Sequence, residues 1–147
     1  YLPYTTSAGD VAALDAALDN ILEEGIETVF ARHDRIASAV RGAAQAYGLE
    51  LFLDSDRSNT VTAIRIPEEI GALRLQEHLS ENYDLLVATS LAHYADVILR
   101  IGHMGENAFI DKLVYVLAII DNGLRDLGFA GKGDLAQLFI ESYKENK

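Results

Sequence analysis

Groups able to do chemistry are scarce in this chain, and one short segment stands apart from the rest. Leu99-Arg-Ile-Gly-His-Met-Gly105 sets a guanidinium in an apolar run and follows it with two glycines. Strand alternation puts Val97, Leu99 and Ile101 on one face and Ile98 with Arg100 on the other. A guanidinium on an apolar strand is costly unless a carboxylate or phosphate satisfies it, and its planar fork suits a carboxylate bidentately. Gly102 and Gly105 then permit a tight turn or a close backbone approach. The segment reads either as an anion clamp at a strand end or as an ion pair with one of the chain's 23 acidic side chains. Thr5 and Thr6, near the start, either offer hydroxyls to an anion such as phosphate or are solvated threonines of a terminal arm. Arg65 reads as a salt bridge at a solvent edge.

Other catalytic patterns are missing. The four histidines are His33, His78, His93 and His103. His33 and His78 fall inside helical patterns and read as structural. No two histidines have the i, i+4 spacing of a helical metal site, so no metal is expected. There is no Gly-x-Ser-x-Gly elbow and no glycine-rich phosphate loop before a helix. Asp54 and Asp56 lie among Ser and Asn, which is ordinary turn chemistry.

The elements that must position Arg100 follow from periodicity. Tyr1 to Thr6 is an extended lead-in, because Pro3 pushes Leu2 out of the helical region. Asp10 is a plausible N-cap for a helix carrying Val11, Leu14, Leu18, Ile21 and Leu22, which ends at Gly25. A second helix follows directly, with Ile26, Val29, Phe30, His33, Ile36, Ala37, Val40 and Tyr47 along one face, and stops at Gly48. Leu49 to Leu53 and Thr60 to Ile66 read as strands joined by a polar loop, with Pro67 closing the second. Leu73 to Tyr83 is a helix, Asp84 to Ala88 and Val97 to Ile101 are strands, and Phe109 to Leu127 is a long helix buried on more than one side. Asp134 caps a last helix with Leu135, Leu138, Phe139 and Tyr143. This order predicts an α+β fold: a mostly antiparallel sheet of about four strands with helices packed on one face, preceded by a long helix pair.

Composition bounds the function. The 147 residues are 50% hydrophobic and 24% charged, enough for a single domain over 1–147 with its own core. Twelve Lys and Arg against 23 Asp and Glu give a net charge of −11, which repels phosphate backbones and anionic membranes; neither nucleic acid nor membrane is an expected partner. No apolar stretch approaches the roughly 20 residues that cross a bilayer, and no signal peptide is seen. The absence of cysteine removes disulfide and thiolate chemistry and fits a cytoplasmic location.

LRIGHMG resembles the segment near the C-terminus of class V pyridoxal-phosphate-dependent aminotransferases, the alanine–glyoxylate, serine–glyoxylate and serine–pyruvate group. The stretch from Pro3 to Phe52 resembles that family's "YTP…" arm, long helix and "EEGLE…RH" helix junction, and SNTVTAIRIPEEI resembles its central strand. The likeness runs from about Pro3 to Gly128. It implies the C-terminal small domain of an enzyme that moves an amino group between a small amino acid, alanine or serine, and a 2-oxo acid, glyoxylate or pyruvate. By resemblance Arg100 binds the substrate's α-carboxylate, and Thr5 contacts the cofactor phosphate in the partner subunit's active site. The implied partners are a large cofactor domain of the same enzyme and a second subunit of a homodimer. The family's aldimine lysine lies in that large domain, and none of Lys112, Lys132, Lys144 or Lys147 has its context. The resemblance therefore implies no catalytic residue in this chain and no activity from it alone. The glycine-rich stretch that usually precedes the "RIG" strand appears here as Thr89 to Asp96, without glycine. The competing expectation is a stand-alone α+β module that binds a metabolite or oligomerises without catalysis.

Overall fold

The computed structural model describes residues 7–146, in two compact units that meet in sequence between Arg32 and His33. Thr5 and Thr6 lie outside the described residues.

In the first unit, α1 (Ala8–Glu24) is capped by Ser7, whose Oγ accepts the Asp10 N–H at 3.3 Å. Asp10 is thus not the N-cap. It sits inside the first turn, where its carboxylate meets the positive end of the helix dipole. Gly25, at φ 85°, breaks the helix and returns its N–H to Ile21 O at 2.9 Å. α2 (Ile26–Tyr47) begins at once, and Glu24 clamps Arg32 across the corner through paired contacts of 2.6 and 2.7 Å. No residue of α1 is buried, and Val11, Leu14, Leu18 and Leu22 are all exposed.

The second unit takes up α2 from His33 and buries Ile36, Val40, Ala43 and Tyr47 at helical spacing. Its sheet has four strands: β1 (Glu50–Leu51), β2 (Val61–Arg65), β3 (Ala88–Thr89) and β4 (Ile98–Gly102). They run in the order β1-β2-β4-β3 with every neighbouring pair antiparallel. Thr62 pairs with Ile101 and Ile64 with Leu99, so one face of the central strands joins the core with α3 (Ala72–Tyr83), α4 (Ile110–Asp126) and α5 (Leu135–Glu145). The α+β expectation is met.

Two strands are shorter than their patterns suggest, and side chains explain why. After Phe52, whose N–H still donates to Ala63 O at 2.9 Å, the Arg57 guanidinium captures the Leu53 and Asp54 carbonyls and curls the chain into a loop. The predicted strand from Asp84 to Ala88 shrinks to Ala88–Thr89. Asp84 turns left-handed at φ 53° to end α3, and the Gln76 amide donates to Val87 O at 2.6 Å, occupying an acceptor that a longer ladder would need.

The helices are bolted together by a buried polar group. Asp121 on α4 is 3% exposed and accepts from the Tyr47 hydroxyl at 2.6 Å, from the Arg125 guanidinium, and from the Leu135 N–H at 3.0 Å. Burial alone would raise its pKa. The bonds from Arg125, Tyr47 and Leu135 outweigh that, and the carboxyl lies below its ordinary value. Burial, then the bond to Asp121, push the Tyr47 hydroxyl up to about 12. Asp134 caps α5 by accepting the Gln137 N–H at 2.8 Å.

Candidate functional site

Arg100 lies in the middle of β4, on the face opposite Leu99 and Ile101. It pairs with Ala63 of β2 on one side and Ala88 of β3 on the other. Directly opposed residues on antiparallel strands share a face, so the guanidinium has only methyl groups as its cross-strand neighbours. Arg100 is exposed, and its Nε donates to Thr89 O at 2.9 Å. That bond fixes the side chain to the adjacent strand and leaves the terminal nitrogens pointing onward. Among the described residues, no carboxylate forms an ion pair with Arg100 and no acceptor takes its terminal N–H groups. Arg32, Arg65 and Arg125 are spent differently, on Glu24, Glu50 and Asp121. Of the two readings of this arginine, the intradomain ion pair finds no partner among the described residues. Arg65 pairs with Glu50 at 3.7 Å, as its pattern suggests.

Beside Arg100 opens a cleft of about 450 Å³ lined by Leu85, Val87, Met104, Asn107 and Lys112. Its chemistry is cationic and apolar, with no acidic side chain on its wall. Such a space admits a small anion with a short apolar body. The loop between β3 and β4, which has no glycine, still makes a left-handed turn at Ala92 with φ 51°.

The turn after β4 is also built with care. His103 is fully buried; its Nε2 lies 2.8 Å from Thr62 Oγ1, and its Nδ1 has no hydrogen-bond partner among the described residues. Burial is the main reason its pKa is pushed down to about 4, with the nearby main chain of His103 and Asn59 offsetting part of it. The ring is therefore neutral at physiological pH. Gly105 N–H donates to His33 Nε2 at 3.0 Å. His33 and Lys112 went unmarked as site residues in the sequence. The partner of His33 is distant in the chain, and a single-residue pattern carries no signal of a contact 72 positions away.

Arg100 presents an unspent guanidinium fork beside open space. Lys132 and Lys144, near and on α5, have no place in that cleft, and Thr5, the residue proposed for the cofactor phosphate, lies outside the described residues. Among the described residues, no group of three or more His, Asp or Glu could hold a metal, and no helix is long and apolar enough to cross a membrane.

Similarity to known proteins points the same way. The chain is 43% identical over 131 residues to an uncharacterised aminotransferase of Methanocaldococcus jannaschii, spanning 88% of this chain and 34% of that protein. It is 45% identical over 105 residues to the L-aspartate–glyoxylate aminotransferase of Paracoccus denitrificans, spanning 70% of this chain and 26% of the relative. Its fold matches the crystal structure of pyridoxamine–pyruvate aminotransferase from Mesorhizobium loti with a TM-score of 0.90 at 28% identity, covering 100% of this chain and 38% of that one. No protein-family model matches it. The chain spans about a third of the length of these relatives. With LRIGHMG on β4 and this fold around it, the chain belongs to the class V pyridoxal-phosphate-dependent aminotransferases and has the fold of their C-terminal small domain.

Proposed function

We propose that this chain is the substrate-carboxylate-binding domain of a transaminase that moves an amino group between a small amino acid, alanine or serine, and a 2-oxo acid, glyoxylate or pyruvate. The observation that carries this reading is Arg100: an exposed guanidinium, oriented by one bond to Thr89 O, with its fork unspent beside an open cleft. The two relatives whose names print a reaction each act with a 2-oxo acid, glyoxylate in one and pyruvate in the other.

The chemistry divides between two domains. Pyridoxal phosphate, bound in a large domain of the same enzyme, supplies the electron sink. This chain contributes position. The Arg100 fork binds the α-carboxylate through paired N–H donors, and the Thr89 carbonyl holds the guanidinium in one plane while it does so. Ala63 and Ala88 keep the approach clear, and the apolar wall at Leu85 and Val87 turns water away from the bound carboxylate, which strengthens the charge-assisted bonds. Fixing the carboxylate fixes Cα, and that orientation is where the binding energy is used. By the family resemblance Thr5, outside the described residues, would help hold the cofactor phosphate of the second subunit. The apolar stripe of α1, with Leu14 at 60% and Leu22 at 77% exposure, supports a covered face against the large domain or a homodimer partner, because contiguous apolar surface beyond a few hundred Å² generally associates.

The test uses the holoenzyme containing this chain, assayed for transfer from alanine or serine to glyoxylate or pyruvate. Arg100→Lys keeps the charge and loses the fork, so kcat/KM falls roughly 10- to 100-fold, the equivalent of one charge-assisted bond of about 1.5–3 kcal/mol. Cofactor absorbance stays intact. An unchanged kcat/KM in that variant removes Arg100 from substrate recognition.

A further inference from the structure

The turn from Gly102 to Gly105, directly beyond Arg100, is held at three points. The His103 N–H donates to Thr60 O at 2.9 Å, and the His103 ring meets Thr62 Oγ1 at 2.8 Å; both tie the turn to β2. The third tie runs to a different element, where the Gly105 N–H donates to His33 Nε2 on α2 at 3.0 Å. The end of β4 needs such an anchor. β3 pairs only as far as Leu99 and Arg100, so Gly102 has a single strand neighbour, Val61 of β2. Two glycines bound the turn and Gly105 sits at φ 55°, where it opens a single short helical turn closed by the Asn107 N–H on Met104 O at 3.0 Å. Arg100's own bond goes to Thr89, on an edge strand of two residues.

Resting on the reading of Arg100 as the carboxylate fork, we infer that His33 is a positioning residue for it: by accepting the Gly105 N–H, it fixes the far end of β4 and with it the direction in which the guanidinium is offered. The requirement on His33 is specific. It must present an acceptor nitrogen, a role that a donor-only side chain such as Lys cannot fill and that the amide oxygen of Gln can. Misplacement of a binding group by about 1 Å is enough to cost up to two orders of magnitude.

The experiment is a mutant cycle in the holoenzyme, reading KM for the amino acid, kcat, cofactor absorbance and Tm. His33→Ala raises KM about tenfold and leaves kcat within about twofold, with cofactor absorbance unchanged. His33→Gln restores most of the wild-type KM, and His33→Lys does not. In an Arg100→Ala background, His33→Ala adds nothing further to KM, because the group it positions is gone. If His33→Ala raises KM by the same factor with or without Arg100, or if Gln restores Tm but not KM, His33 is structural and the inference fails while Arg100 keeps its role. An unchanged KM in His33→Ala overturns it too. If Arg100→Ala itself leaves KM unchanged, the reading of Arg100 fails first. Should His33→Ala not fold, the Gln and Lys variants carry the same comparison.

Discussion

Asp121 on α4 and Arg100 on β4 are both charged residues set in otherwise apolar elements. Asp121 is 3% exposed and accepts bonds from Tyr47, Arg125 and the Leu135 main chain, which join α2, α4 and α5. Arg100 is exposed, donates from Nε alone to Thr89 O, and meets no carboxylate among the described residues. A buried charge must be satisfied from within, or its desolvation dominates. A surface charge that the fold leaves unspent is available to something that is not part of the fold. On the proposed reading of Arg100, stability and recognition rest on different charges in different places, and substitutions should separate them.

The largest stability effect belongs to Asp121. Asp121→Ala strands the Tyr47 hydroxyl and the Leu135 N–H in the core, and unfolding in urea should show a loss of about 3–5 kcal/mol. Discrimination between carboxylate and amide substrates should not change; a shift there would mean that the two regions are not separable.

Next comes His103, three positions beyond Arg100. Its folded-state pKa, about 4, lies below the ordinary 6.5, so between those values the unfolded chain binds a proton that the folded chain refuses. Stability from this group is complete above about pH 6.5 and is lost as pH falls toward 4, by up to about 3 kcal/mol. Asp121 adds to the loss only at lower pH, since its carboxyl is held below the ordinary 3.8 and its contribution disappears as pH falls through that depressed value. Urea titrations across pH 7 to 4 check this, and His103→Gln should flatten the slope.

Gly131→Ala tests how tightly the Tyr47 side of the Asp121 group is packed. A methyl there would overlap the Tyr47 ring, and repacking should cost about 1–3 kcal/mol by thermal melt. The smallest effect on stability is assigned to Arg100→Ala, within about 0.5 kcal/mol, as for an exposed side chain whose one structural bond, to Thr89 O, lies at the surface.

Much of this was legible in the sequence because it depends on local rules. Gly25 and Gly48 ended helices where a left-handed residue was needed, Asp134 capped α5, and alternation placed Arg100 opposite Leu99. The misses have physical causes. Ser7 outcompeted Asp10 as a cap because its hydroxyl reaches the Asp10 amide, a distinction of one turn that periodicity does not resolve. The strand read from Asp84 failed because two tertiary events, the left-handed Asp84 and the Gln76 bond to Val87, are invisible to hydropathy. Asp121 carried no mark in the sequence, because its partner Tyr47 lies 74 positions earlier. His33 was masked in the same way. The Arg100 segment stood out because an arginine in an apolar run, followed by two glycines, is already costly in one dimension.

Whether the Arg100 guanidinium reads the substrate's α-carboxylate is decided by a ratio of two substrates. In the holoenzyme, kcat/KM is measured for alanine and for alaninamide, which replaces the carboxylate with a neutral amide. The wild type should prefer alanine strongly. Arg100→Ala should collapse that preference by roughly 100-fold or more, equivalent to about 3 kcal/mol of lost charge-assisted bonding, with Tm and cofactor absorbance unchanged. A preference for alanine that survives intact in Arg100→Ala would contradict the account.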